Sequence, residues 1–164
     1  MSDFEPVEIL RVLLAHDVEF IVIGGIAGNL LGSTSVTRDL DVLYDRDADN
    51  IGRLADALAD LRARLRGVDE ALPFRIDAHA LRNGSNFTFT TRLGDLDCLG
   101  ETSGRFTYAT LAATAETMEV EDIRLRVVSL DDLIRMKRAA GRNKDLIEVE
   151  NLTALRDVRD GRAP

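Results

Sequence analysis

The chain has 164 residues, 45% of them apolar and 30% charged, and a net charge of −8. This balance supplies a core and excludes a disordered chain. The acidic excess excludes a protein that coats nucleic acid without sequence preference, because such binding neutralises phosphates with Lys and Arg, but it leaves room for a local basic site. Cys98 is the single cysteine, so no intramolecular disulfide forms, and His16 and His79 are too far apart to suggest a Cys/His zinc site. The opening Met1-Ser2-Asp3-Phe4-Glu5 is acidic and carries no apolar signal region, and no apolar run reaches bilayer length. These features predict a soluble, cytoplasmic protein without a membrane partner. The length predicts one domain over 1–158, with 159–164 as a flexible tail.

In chain order, Pro6 to Ala15 predicts a helix, with Val7, Leu10, Leu13 and Leu14 on one face and Pro6 in its first turn. Phe20 to Ile23 is a continuous apolar run, the pattern of a buried strand. A glycine turn, Gly24-Gly25, leads into a short helix over 25–31, which Gly32 and the hydroxyls of Ser33, Thr34 and Ser35 end. Thr37 to Leu43 predicts a second strand, 45–50 an acidic loop, and Ile51 to Leu65 a strongly periodic helix. A short strand is expected at 73–78. Phe87 to Thr91 and Asp95 to Leu99 alternate apolar and polar residues around Arg92-Leu93-Gly94, which predicts an antiparallel hairpin. One or two helical turns follow at 108–113, then paired strands at 116–120 and 123–128. Ser129, with Asp132 three positions on, opens a helix that Gly141 interrupts, and a last helix is expected over 143–158. The order predicts an α/β (α+β) fold, a mixed central sheet flanked by helices.

The chemistry gathers on a few positions. Strand alternation puts Asp39 and Asp41 on one face, with Leu40 and Val42 on the other. Two carboxylates so placed repel unless a cation sits between them, and hard divalent ions take oxygen ligands. Asp95 and Asp97 repeat the spacing on a later strand. If the two strands are neighbours, three or four carboxylates converge, enough for two Mg²⁺ ions. Gly24 and Gly25 allow backbone to approach phosphate oxygens, and Ser33 and Thr37 offer hydroxyls that serve phosphate or loop capping equally well. Arg135, Lys137, Arg138, Arg142 and Lys144 form a basic cluster. These cations suit either a bound triphosphate or a solvated helix face. Asp145 is placed to pair with one of them.

The run Ile23-Gly24-Gly25, Gly32-Ser33, Thr37-Arg38-Asp39-Leu40-Asp41-Val42 resembles the nucleotidyltransferase superfamily of polymerase-β-like fold, whose pattern is Gly-Gly or Gly-Ser, a spacer, and two aspartates around an apolar residue. The stretch Val128 to Leu146 is similar to the C-terminal signature of small bacterial AbiEii-type toxins, in which a Lys of one helix and an Asp opening the next join the site; Lys137 and Asp145 occupy those positions. The resemblance covers Phe20 to about Leu152. It implies transfer of a nucleoside monophosphate from an NTP to an acceptor hydroxyl, with Asp39, Asp41 and Asp97 as metal ligands and, with Lys137, as the catalytic group. Asp95 remains a rival for the third carboxylate. Gly24, Gly25, Ser33, Thr37, Arg138, Arg142 and Asp145 would contact the nucleotide. The implied acceptor is an RNA such as tRNA, a protein or a small molecule, and the implied partner a cognate toxin or antitoxin. Modification of a lincosamide-type antibiotic, or a non-catalytic nucleotide-binding or antitoxin module, are the alternatives. Two positions depart from the pattern: Gly25 stands where many relatives have Ser, and Ser35 where many small members have Arg.

Overall fold

The computed structural model of the chain describes residues 3–72 and 74–162. The helices are α1 (Pro6–Ala15), α2 (Gly24–Leu30), α3 (Ala48–Asp60), α4 (Ala78–Asn83), α5 (Tyr108–Leu111), α6 (Leu130–Ala140) and α7 (Asn143–Arg159). The strands are β1 (Phe20–Ile23), β2 (Asp39–Tyr44), β3 (Arg64–Leu65), β4 (Asn86–Thr91), β5 (Gly94–Leu99), β6 (Glu116–Val120) and β7 (Ile123–Val127). The strands form one mixed sheet in the order β3-β4-β5-β2-β1-β7-β6. β2 pairs parallel with β5, and β1 parallel with β7, while β1–β2, β3–β4, β4–β5 and β6–β7 are antiparallel.

The core follows from the apolar runs. All four residues of β1 are buried, and Leu40, Val42, Leu43 and Tyr44 of β2 join them. Ile9, Leu10 and Leu13 of α1 and Ile51, Leu54 and Leu58 of α3 bury their faces in the same cluster, and α1 packs on α3. Ser129 caps α6 by accepting a hydrogen bond from the Asp132 backbone, and Gly141 ends that helix in the left-handed conformation (φ 65°). This turn sets α7 against α6 and so places the Lys137 and Asp145 side chains together.

Two expectations are corrected. The helix expected over 51–65 runs from Ala48 to Asp60. Asp47 caps it by accepting from the Asp49 N–H, and Asp49 lies in its first turn, where a carboxylate suits the helix dipole. Arg62, at φ 52°, ends the turn after it, and Leu65 enters β3 instead. The strand expected at 73–78 is absent among the described residues: Pro73 lies outside them, and Asp77 caps α4 through the Ala80 N–H. Arg159 closes α7 and Asp160 is its C-cap; residues 163–164 lie outside the described residues, as do Met1 and Ser2 at the other end. No helix among the described residues is long and apolar enough to cross a membrane.

Candidate active site

The turn from β1 into α2 passes directly over β2. Gly24 has φ 67°, and a Cβ there would collide with the Asp41 carboxylate. A Cβ on Gly25 would lie 2.7 Å from the Thr37 side chain. Both glycines are thus required by close approach, which gives the departure from Ser at position 25 a physical reason. Thr37 donates its hydroxyl to the backbone and carboxylate oxygens of Asp39, both at 3.2 Å.

The parallel pairing of β2 with β5 sets Asp39 opposite Asp95 and Asp41 opposite Asp97. Carboxylate oxygens of Asp39, Asp41 and Asp97 lie within 4.8 Å of one another. Asp95 stands apart, accepting from the Thr90 hydroxyl (3.1 Å) and facing Arg66 (3.3 Å). The trio therefore forms around Asp97, the residue directly across from Asp41. Burial, and then the charges of Asp39 and Asp97, push the Asp41 carboxyl up to about 7. Burial likewise raises Asp97, against the opposing charge of Arg66. Three hard oxygen donors converge, and two of them are held above their ordinary range by burial and by their neighbours' negative charge, so the donor set fits a divalent cation.

A cavity of about 410 Å³ opens beside Asp41 and Gly24. Lys137, Arg142 and Asp145 line it, as do Asn86, Glu101, Thr102 and Ser103. The Asp145 side chain is 1% exposed and holds both cations, Arg142 Nε at 2.6 Å and Lys137 Nζ at 3.7 Å. Burial alone would raise its carboxyl, but the Arg142 hydrogen bond and the two positive charges outweigh it and hold it low. Asp145 thus fixes two cations at the cavity wall.

Other expected contacts lie elsewhere. Ser33 donates to Glu148 of α7 at 2.8 Å, and Ser35 donates to the same carboxylate at 2.5 Å. A carboxylate therefore already engages the Ser33 hydroxyl, one of the two offered to phosphate. Arg138 is exposed, and neither it, Ser33, Thr37 nor Gly25 lines the cavity. Sequence reasoning missed Arg66, whose guanidinium donates to Asp97 Oδ1 at 2.9 Å and to the Phe89 carbonyl at 3.0 Å. The available signal was the spacing of Arg64 and Arg66, which puts two cations on one strand face. It also missed the wall formed by Asn86 and Glu101 to Ser103.

Neither a protein-family model nor a curated protein sequence matches the chain. Solved structures do. The chain is similar in fold to the lincosamide antibiotic adenylyltransferase LnuA in its lincomycin-bound form, with a TM-score of 0.62 at 14% identity over 94% of this chain and 99% of that one. It is similar to ANT(2'')-Ia in complex with adenylyl-2''-tobramycin (TM-score 0.52, 17% identity, 95% of each chain). A Thermotoga maritima protein assigned as a nucleotidyltransferase gives a TM-score of 0.52 at 15% identity over 98% of both chains. The architecture is that of nucleotidyltransferases.

Proposed function

We propose that the chain is a Mg²⁺-dependent nucleotidyltransferase that moves a nucleoside monophosphate from an NTP to an acceptor hydroxyl. The observation that carries this reading is the convergence of Asp39, Asp41 and Asp97, with Asp41 lining a cavity that Lys137 and Arg142 also line. Two Mg²⁺ ions held by the trio would neutralise the triphosphate and acidify the acceptor hydroxyl. Lys137 and Arg142, fixed by Asp145, bind phosphate oxygens and hold the triphosphate in line. Gly24 lets the backbone lie close to the reacting phosphates. The acceptor oxygen forms a bond to the α-phosphorus, the bond from that phosphorus to the β-bridging oxygen breaks, and pyrophosphate leaves. Asp97 takes the hydroxyl proton. Catalysis here is positioning and electrostatics, the terms that dominate such transfers.

The signature shared with AbiEii-type toxins supports a toxin–antitoxin component acting on tRNA or protein. A second reading, transfer to a small lincosamide-like molecule, is supported by the full-length fold match to a lincomycin-bound adenylyltransferase. The test is incubation with Mg²⁺, labelled NTP and each acceptor class. Asp39→Asn and Asp41→Asn are expected to abolish labelling while the circular dichroism spectrum stays unchanged. Full activity in either variant refutes the assignment.

A further inference from the structure

Residues 33–39, which lead from α2 into β2, alternate in burial. Ser33, Ser35, Thr37 and Asp39 are half-buried, while Thr34, Val36 and Arg38 are exposed. This period of two is the pattern of extended backbone, and it puts three hydroxyls and the Asp39 carboxylate on one side of a single stretch. Thr37 donates to Asp39 Oδ1 at 3.2 Å. Ser33 and Ser35 reach Glu148 of α7 instead, each on its own oxygen, Oε1 at 2.8 Å and Oε2 at 2.5 Å. Asn29 of α2 holds the same stretch by its backbone, donating to the carbonyls of Ser33 (3.0 Å) and Ser35 (2.7 Å).

Glu148 follows Asp145 by three residues on α7, a spacing at which helical side chains are neighbours. Asp145 is the residue that fixes Lys137 and Arg142 at the cavity. Glu148 forms no ion pair among the described residues, and its two oxygens each take one serine hydroxyl. Hydrogen bonds to an ionised carboxylate are short and strong, and two on one group fix its orientation. Among the described residues they are the only hydrogen bonds between residues 24–37 and α7. Glu148 itself is outside the carboxylate trio and does not line the cavity.

We propose that Glu148 is a positioning residue: through Ser33 and Ser35 it clamps the stretch that delivers Asp39 onto the helix that delivers Asp145. The inference rests on the transfer reading for the reaction that the clamp serves. Asp39 belongs to the metal-binding half of the site, and Lys137 and Arg142 to the half that holds phosphate. These halves come from opposite ends of the chain, and in-line transfer tolerates little misplacement between them. The clamp ties them by side chains that touch neither metal nor nucleotide. A glutamine at position 148 can keep both links, since its carbonyl accepts from one serine and its amide donates to the other hydroxyl. An alanine keeps neither.

The test compares Glu148→Ala, Glu148→Gln and the double variant Ser33→Ala, Ser35→Ala. Transfer is followed with labelled NTP, and Mg²⁺ is titrated calorimetrically into the NTP-free protein. Glu148→Ala is expected to lower kcat about 10–10²-fold, with KM for NTP within about threefold, and to weaken Mg²⁺ binding about tenfold. Glu148→Gln is expected to stay within about threefold of wild type in both measurements. Adding the two serine changes to Glu148→Ala is expected to lower kcat no further, because the three side chains act as one unit. A fall in Tm with kcat and Mg²⁺ affinity unchanged in Glu148→Ala overturns the proposal and leaves Glu148 a stability contact. Equal loss in the Ala and Gln variants also overturns it, since the charge itself would then be what acts. No transfer by wild type, with Mg²⁺ affinity lost in Glu148→Ala and kept in Glu148→Gln, breaks the transfer reading and leaves the clamp standing. No Mg²⁺ binding by wild type overturns both.

Discussion

Asp41 and Asp145 are the same residue type in the same cavity, and their surroundings drive them in opposite directions. Asp41 sits among carboxylates, and its carboxyl is pushed up to about 7. Asp145 sits between Arg142 and Lys137, which hold its carboxyl low despite burial. The first is a site short of positive charge, and the second supplies its own. A buried carboxylate that the protein does not compensate is one kept for a cation from outside, whereas a compensated one is a fixture that positions its partners. Arg66 on Asp97 is an intermediate case, a cation on the edge of the trio, while Asp41 has no ion pair among the described residues.

The contrast can be broken most forcefully through activity. Asp41→Asn is expected to lower the transfer rate at least about 10²–10³-fold, measured with labelled NTP under saturating Mg²⁺. Its effect on stability should then separate the two aspartates by sign. At pH 8 without metal, Asp41→Asn removes a repelled charge and is expected to stabilise by about 1–2 kcal/mol, seen as a rise in Tm. Asp145→Asn strands Lys137 and Arg142 and is expected to destabilise by about 2–3 kcal/mol, less than a fully buried pair because Arg142 is largely exposed. If the two variants shift Tm in the same direction, the contrast fails.

The next test is pH. The Asp41 carboxyl moves from its ordinary 3.8 to about 7 on folding. Between those values the folded metal-free protein keeps a proton that the unfolded chain has released, so its stability falls as pH rises through that window. Metal must displace this proton, so Mg²⁺ affinity is expected to climb about tenfold per pH unit up to about 7 and to level off above it. Calorimetric titration of Mg²⁺ from pH 5 to 8 checks both the slope and the plateau. The smallest effect belongs to Ser33→Ala. Because its hydroxyl is committed to Glu148, the change is expected to leave NTP affinity within about threefold and to cost about 0.5–1.5 kcal/mol of stability. A tenfold loss of NTP affinity would return Ser33 to the nucleotide site.

How much of this was legible follows from the range of each interaction. Asp39 and Asp41 could be read because alternation is local to one strand, and the two glycines because their close neighbour is the next strand. The choice between Asp95 and Asp97 depended on the register of β2 against β5, a non-local pairing that alternation alone leaves open. Lys137 and Asp145 were singled out through a resemblance, but their mutual ion pair required the turn at Gly141. The bond from Ser33 to Glu148 could not be read, because Glu148 lies on the last helix. The arginine-lined cavity at the sheet edge was invisible because β3 spans only Arg64–Leu65, too short for a period, and Arg62, Arg75 and Arg92 come from separate segments.

The central claim is that the carboxylate trio transfers a nucleoside monophosphate. It is tested most directly by comparing NTP labelled at the α-phosphorus with NTP labelled at the γ-phosphorus, using total RNA, lysate protein and lincomycin as acceptors. The predicted result is α-label on one acceptor, with no γ-label, and loss of that signal in Asp41→Asn. Transfer of γ-label, equal labelling by wild type and Asp41→Asn, or α-label on none of the acceptors would contradict it.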